Sequence, residues 1–121
     1  MTMRVLLVDD EPGVRNYMRL ILQKHGCAVV EAEDGVDAYR VIEREGGNFD
    51  LLITDVRMPE MDGPSLARQV RTQFPRIPVL FVSGYPAEEH TFASSDLLMK
   101  PFRPQTLISR IQQISSPQAG A

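Results

Sequence analysis

Several features that would point to a particular environment are missing from this chain. Cys27 is the only cysteine, which excludes an internal disulfide. Because it directly precedes an apolar run, we expect it to be a small core residue of a protein in a reducing compartment. The apolar runs are far shorter than the roughly 20 residues that cross a bilayer, and no hydrophobic signal region is visible. Basic residues form no block and do not interleave with aromatics, which argues against direct nucleic-acid binding. We therefore expect a cytoplasmic protein without membrane insertion.

The chain does contain enough apolar material for one core. It has 121 residues, 43% of them apolar, and a net charge of −3 with acidic and basic residues interspersed. This length allows one domain and not two. We predict a single domain over residues 1–121, with its core in residues 3–114 and a small, polar, flexible tail in residues 115–121.

Five short apolar runs alternate with segments of helical spacing. The runs predict strands at residues 4–8, 28–32, 51–55, 77–82 and 97–99. Helical spacing follows the first, second, third and fifth run, whereas residues 85–95 are polar with little periodicity and predict a shortened or irregular fourth helix. The alternation predicts an α/β fold in which right-handed crossovers build a doubly wound parallel sheet.

Polar residues stand at the C-terminal ends of four predicted strands, namely Asp9, Asp10, Asp55, Ser83 and Lys100. In a doubly wound sheet these ends converge on one rim, where such folds bind ligands. Each residue alone has a plain structural explanation, since a strand-end aspartate commonly caps a turn. The convergence of five polar groups favours a built site over coincidence.

The types of these residues indicate the chemistry of that site. Asp9, Asp10 and Asp55 would repel one another and raise their pKa values unless a cation lay among them. Oxygen ligands with room for water fit Mg²⁺, while Lys100 adds a second positive charge and Ser83 a hydroxyl donor. Together these groups suit a phosphoryl group, and they predict Asp55 as a nucleophile that forms an acyl phosphate.

Four motifs in this order resemble those of the receiver domains of bacterial response regulators in two-component systems: Asp9-Asp10-Glu11, Asp55 with the MPEMDG run at 58–63, Ser83-Gly84, and Lys100-Pro101-Phe102. The resemblance covers residues 3–114, nearly the whole chain. It implies a flavodoxin-like (βα)5 fold with strand order 2-1-3-4-5. It also implies a signalling domain and not an enzyme that turns over a separate substrate.

The resemblance assigns a role to each site residue. It implies that Asp55 accepts a phosphoryl group from a histidine kinase or a histidine phosphotransfer protein. Asp10, Asp55 and the backbone carbonyl of Arg57 would bind Mg²⁺ directly, and Asp9 would hold it largely through water. Ser83 would hydrogen-bond a phosphoryl oxygen, and Lys100 would pair with the phosphoryl group. The Lys100-Pro101 peptide bond would be cis.

The sequence departs from the family pattern at one buried position. Most receivers have Tyr or Phe three residues before the lysine, and here that residue is Leu97. Either Leu97 is a plain core residue or the conformational switch is altered. The runs around Phe81 and Met99 resemble receivers of hybrid histidine kinases, and a stand-alone regulator or a piece of a longer protein remain alternatives.

Three side chains outside the motifs suggest additional roles. Arg57 and Tyr85 each lie two residues after a site residue, so they either shield the acyl phosphate from water or are plain loop residues. Leu20 lies about 130° from the centre of the apolar face of the first helix and is expected to face solvent, as a partner contact or as an ordinary exposed leucine.

Two other functions compete with phosphoacceptance by a receiver. A haloacid-dehalogenase-type phosphatase also uses an aspartyl phosphate, but it needs an acid where Arg57 stands. A phosphate-independent interaction module on a receiver fold is the second alternative, and such domains usually lose an acid or the lysine. The sequence leaves the oligomeric state open, with a monomer or a weak dimer expected.

Overall fold

A computed structural model describes residues 2–85, 92–93 and 96–115 of the chain. They form five strands, β1 (Arg4–Val8), β2 (Ala28–Ala32), β3 (Leu51–Asp55), β4 (Val79–Ser83) and β5 (Leu97–Met99). The four helices in this part of the chain are α1 (Pro12–Lys24), α2 (Gly35–Arg44), α3 (Gly63–Gln73) and α4 (Pro104–Ser115). All strands are parallel and lie in the order β2-β1-β3-β4-β5, as predicted.

Each central strand buries both faces, which explains why its sequence is a continuous apolar run. In β1, Val5 and Leu7 point into one apolar cluster, while Leu6 and Val8 point into another on the opposite face. The first cluster includes residues of α1 and α4, and the second includes residues of α2 and α3. The sheet is thus covered on both sides, and its polar strand ends are left at the rims.

The helices begin and end where local chemistry permits. Pro12 occupies the first turn of α1, where its missing N–H is no loss, and Gly26 follows the helix with a φ of 93°. At α3, the Asp62 side chain accepts a hydrogen bond of 2.8 Å from the Ser65 N–H. The helix therefore starts at Gly63.

The fourth strand begins later than predicted, at Val79 instead of Ile77. The Ile77 N–H bonds to the Phe74 carbonyl in a turn, and Pro78 has no N–H to donate to a neighbouring strand. The strand also extends to Ser83, whose carbonyl accepts a 2.7 Å hydrogen bond from the Lys100 N–H. This extension brings Ser83 into the sheet beside the start of the Lys100 segment.

The predicted irregular fourth helix falls largely on residues 86–91 and 94–95, which lie outside the described residues, as does the tail from 116 on. Phe92 is described, and its ring lies 4.8 Å from that of Phe81, which pairs with Leu97 across the sheet. Leu97 itself is a buried core residue. At this place in the core the aromatic ring comes from residue 92, which sequence reasoning did not anticipate. The single-domain organisation remains a prediction.

Candidate functional site

The rim at the C-terminal ends of the strands brings together most of the predicted polar residues. Asp9, Asp55 and Ser83 are all buried there. The Lys100 Nζ lies 3.3 Å from Asp9 Oδ2 and 3.4 Å from Asp55 Oδ2, although the three residues are far apart in sequence. One ammonium group is therefore shared between two buried carboxylates.

The turn between β1 and α1 decides which acids join this group. Asp9 Oδ1 accepts a 2.9 Å hydrogen bond from the Glu11 N–H, so the chain turns back over the Asp9 side chain. Carboxylate oxygens of Asp9, Glu11 and Asp55 lie within 4.8 Å of one another. Glu11 is exposed, and so is Asp10, which the sequence predicts as a direct metal ligand and which lies outside this trio. Glu11, which the sequence analysis does not name as a metal ligand, supplies the third carboxylate of the trio.

The burial of this charge alters the titration of Asp55. Burial raises the pKa of Asp55 to about 6; the charge of Lys100 opposes the rise and the charge of Asp9 adds to it. Hydrogen bonds from Lys100 and from the Arg57 backbone also oppose the rise in pKa. Burial alone would lower the pKa of Lys100, but the charges of Asp55 and Asp9 outweigh it and raise that pKa. Lys100 is therefore a permanent cation at neutral pH.

Ser83 and Lys100 lie on neighbouring backbone segments that are joined by a hydrogen bond. Besides the hydrogen bond between the two main chains, the Ser83 Oγ accepts a 3.0 Å hydrogen bond from the Tyr85 N–H. The Lys100-Pro101 bond is cis, as the resemblance implied. The Ser83 hydroxyl hydrogen remains available for a further acceptor, because an oxygen that accepts from Tyr85 can still donate its own hydrogen.

Gly63 allows α3 to approach the end of β3. A Cβ on Gly63 would lie 2.3 Å from the Asp55 carbonyl oxygen and 3.1 Å from the Val56 Cα, both of them backbone atoms. The Gly63 N–H also donates a 2.9 Å hydrogen bond to the Val56 carbonyl. Glycine is thus required by close packing at this position, and any side chain would displace the backbone that carries Asp55.

Arg57 and Tyr85 form a pair at the mouth of the site. The Arg57 Cζ lies 3.9 Å from the centroid of the Tyr85 ring, which is the geometry of a cation–π contact. The sequence placed each of them beside a site residue but gave no sign that they touch. Their contact spans the ends of β3 and β4 on either side of Asp55 and Ser83.

The acidic trio is chemically suited to Mg²⁺. Its ligand atoms are all carboxylate oxygens, the type that this cation prefers, and they lie close enough to share one ion. Burial is the largest cause of the raised pKa of Asp55 and the charge of Asp9 adds to it, so the charged form of Asp55 is disfavoured in the protein alone. A divalent cation would compensate that charge.

Comparison with known proteins agrees with this fold. The family model described as the response regulator receiver domain matches residues 5–112. The sensor kinase CckA of Brucella abortus is 40% identical over 94% of this chain, which spans 13% of that kinase. The response regulator receiver protein CpdR of the same organism is 32% identical, with 92% of this chain and 95% of CpdR covered. The crystal structure of the receiver domain from the hybrid histidine kinase CckA superimposes with a TM-score of 0.80, at 37% identity over 93% of this chain and 99% of that one.

These matches define the class of the protein. The chain belongs to the response regulator receiver domain family, and it is a receiver domain of two-component signal transduction. The chain is similar both to a small part of a sensor kinase and to nearly the whole length of the receiver protein CpdR. None of the helices in the described part of the chain has the length and apolar character to cross a bilayer.

Proposed function

We propose that Asp55 is the phosphoacceptor of this receiver and takes its phosphoryl group from a histidine on a kinase or a phosphotransfer protein. The observation that carries the proposal is the placement of the buried Asp55 carboxylate 3.4 Å from the Lys100 ammonium. An Asp55 oxygen forms the new bond to phosphorus as the bond from phosphorus to the donor imidazole nitrogen breaks. The imidazole then takes up a proton, and the product is an aspartyl phosphate.

The surrounding residues stabilise the charge of the transferring group. Lys100 pairs with a phosphoryl oxygen, and the Ser83 hydroxyl donates a hydrogen bond to another. We propose Asp9, Asp10, Asp55 and the Arg57 backbone carbonyl as holders of Mg²⁺, with Glu11 as a further candidate because it lies in the acidic trio. When bound, Mg²⁺ supplies positive charge beside the phosphoryl oxygens.

The domain is proposed to act on itself and not on a separate substrate. A phosphomonoesterase of the aspartyl-phosphate type needs a general acid two residues after the nucleophile, and Arg57 occupies that place. The pKa of an arginine guanidinium is too high for that role. We therefore expect chemistry limited to phosphorylation and dephosphorylation of this one carboxylate.

The partner surface is proposed to include Leu20. Its side chain is 53% exposed, as predicted, and it lines a groove of about 620 Å³ between α1 and α4 together with Tyr17 and Ile108. The Tyr17 ring, which lines this groove, lies 6.2 Å from that of Phe102, two residues after Lys100. A helix that carries the donor histidine is the proposed occupant. Leu20→Asp should slow transfer from the cognate histidine protein while acetyl phosphate still phosphorylates the variant at the wild-type rate; equal slowing with both donors would contradict this.

Mass spectrometry after incubation with acetyl phosphate and Mg²⁺ tests the phosphoacceptor. Wild type should gain one phosphoryl group, and Asp55→Asn should gain none. Asp62→Asn is the matched control, since it removes a nearby exposed carboxylate and asparagine still caps α3. Phosphate on Asp55→Asn, or its absence from wild type with every competent donor, would overturn the proposal; the second result would favour the phosphate-independent interaction module. The cytoplasmic location and the monomeric or weakly dimeric state remain predictions.

A further inference from the structure

We infer that Arg15 is a positioning residue for the acidic turn, because its guanidinium bridges the Asp9 backbone carbonyl and the Glu31 carboxylate. The inference rests on the proposed function of the rim as a phosphoacceptor and metal site. Arg15 lies on α1, six residues after Asp9, and touches none of the reacting groups itself. It acts through the main chain that holds Asp9 and Glu11.

The contacts of Arg15 run in two directions. One guanidinium nitrogen donates a 2.7 Å hydrogen bond to the Asp9 carbonyl oxygen, and Nε lies 3.2 Å from Glu31 Oε1. The Arg15 side chain is 19% exposed and that of Glu31 is 37% exposed, so the contact with the Asp9 carbonyl is partly buried while the ion pair with Glu31 lies at the surface. Glu31 lies on β2 beside the turn, and a carboxylate that fixes one edge of a guanidinium also fixes the direction of its other donors.

The same turn is held from the other side by weaker contacts. The Asp9 N–H donates to the Ala32 carbonyl at 3.3 Å, near the long limit for such a bond. The Asp9 side chain is engaged by Lys100 and by the Glu11 N–H, and neither contact holds the Asp9 carbonyl. Among the hydrogen bonds of the described residues, the bond from Arg15 to the Asp9 carbonyl is therefore the shorter of the two that involve the Asp9 main chain. Loss of this contact should loosen the turn that orients Asp9 and Glu11.

Arg19 provides a matched control on the same helix. Its Nε lies 3.5 Å from the other oxygen of Glu31, so it shares the carboxylate with Arg15. Its other side-chain bonds go to Asn16 and Gln23 on α1, and no hydrogen bond or ion pair of Arg19 reaches Asp9. Arg19→Gln therefore removes the same charge and one Glu31 contact while it leaves the Asp9 carbonyl paired.

Amide hydrogen exchange in the metal-free, unphosphorylated protein tests the inference, with Mg²⁺ affinity as the second measurement. Arg15→Gln should speed exchange of the Glu11 N–H by about tenfold and weaken Mg²⁺ binding by roughly threefold to tenfold. Arg19→Gln should change both by less than about twofold. Glu31→Gln, which keeps the Asp9 contact but frees the other edge of Arg15, should fall between them and serves as the second variant if Arg15→Gln does not fold.

The outcomes separate this inference from the proposed function. If Arg15→Gln leaves Glu11 exchange and Mg²⁺ affinity as in wild type, or if Arg19→Gln alters them equally, Arg15 has no positioning role, whatever happens at Asp55. If Glu11 exchange responds as expected but wild type accepts no phosphoryl group, the bridge stands and the phosphoacceptor proposal falls. A lower melting temperature with unchanged exchange at Glu11 would assign Arg15 a merely structural role and overturn the inference.

Discussion

The two rims of the sheet each carry an arginine stacked on an aromatic ring, yet their charged groups differ in burial. At the N-terminal ends of the strands, the Arg4 Cζ lies 4.6 Å from the centroid of the Phe49 ring, and its guanidinium lies 2.8 Å from Glu45. The Arg4 N–H also donates to Asp50 at 2.7 Å. Cationic and anionic groups there pair directly in half-exposed positions, which is the arrangement of a purely structural rim.

At the C-terminal ends the corresponding pair is Arg57 and Tyr85, and the charges beside it are not balanced. Two buried carboxylates share the single ammonium of Lys100, and burial raises the pKa of Asp55 to about 6. A buried, under-compensated carboxylate reduces stability, so such a site is expected only where the charge serves chemistry. This difference supports the proposal that the phosphoacceptor site lies at the C-terminal rim, without reference to any motif.

The largest expected effect is that of removing the cation from the functional rim. Lys100→Met should slow phosphorylation by acetyl phosphate by about 10² to 10³-fold, the usual effect of deleting one preorganised electrostatic contact in an active site. Arg4→Met removes a cation from the other rim and should leave the rate within about twofold of wild type. Stopped-flow measurement of acyl phosphate formation checks both. Equal losses in the two variants would contradict the division between the rims.

The next largest effect is the loss in free energy of unfolding that the buried, charged Asp55 carboxylate causes. The pKa of Asp55 rises from its ordinary 3.8 to about 6, so its charged form costs the folded state up to about 3 kcal/mol relative to the unfolded chain. The contribution of Asp55 to the free energy of unfolding is most favourable below the pKa that Asp55 has in the unfolded chain. This contribution is lost as the pH rises through about 6. Without divalent metal, Asp55→Asn should therefore be more stable than wild type at pH 8 by up to about 3 kcal/mol, with little difference at pH 4.

Urea unfolding of wild type and Asp55→Asn at both pH values measures this difference. The raised pKa of Lys100 does not interfere, since that residue stays charged throughout the window from pH 4 to pH 8. Asp10→Asn is the matched control, since it removes an exposed carboxylate from the same rim. A difference for Asp55→Asn that is the same at pH 4 and pH 8 would refute the assignment.

The structural rim should show a smaller effect, on stability alone. Arg4→Met removes a partly exposed ion pair and a cation–π contact, so it should destabilise the fold by about 1 kcal/mol. Thermal unfolding at neutral pH and at low and high salt gives the size of the loss and its electrostatic part. Arg44→Met, whose 3.8 Å contact with the same Glu45 is more exposed, should cost less than Arg4→Met and serves as the control.

The smallest expected effect concerns the lifetime of the phosphoryl group. Replacing both Arg57 and Tyr85 by alanine should open the mouth of the site to water and speed dephosphorylation by about threefold to fivefold. Arg57→Lys with Tyr85→Phe keeps a cation over a ring and should retain most of the lifetime. Decay of the phosphorylated protein, followed by mass spectrometry, compares the two double variants. An unchanged lifetime for the alanine variant would mean that the pair does not shield the site.

Local patterns were sufficient for most of the fold. Four strands agree with their predicted bounds. In the central strands β1 and β3, burial on both faces gives the apolar run from which the strand was predicted. The fourth was misplaced by two residues at its start, since the hydrogen bonds of Ile77 and the missing N–H of Pro78 are not apparent from hydrophobicity. The strand-end rule likewise predicted that Asp9, Asp55, Ser83 and Lys100 would share a rim, because parallel strands end on the same side.

By itself, the sequence determined the family, through motifs that are read over short stretches, and the rim at which polar groups gather, through the alternation of strands and helices. The strand order followed from the family resemblance. Tertiary structure alone decided that Glu11 joins Asp9 and Asp55 in the acidic trio, that Arg57 stacks on Tyr85 and that Arg15 bridges Asp9 to Glu31. It also decided the pKa of Asp55. These properties depend on burial and on distances between side chains from different elements, and such distances exist only once the chain has folded.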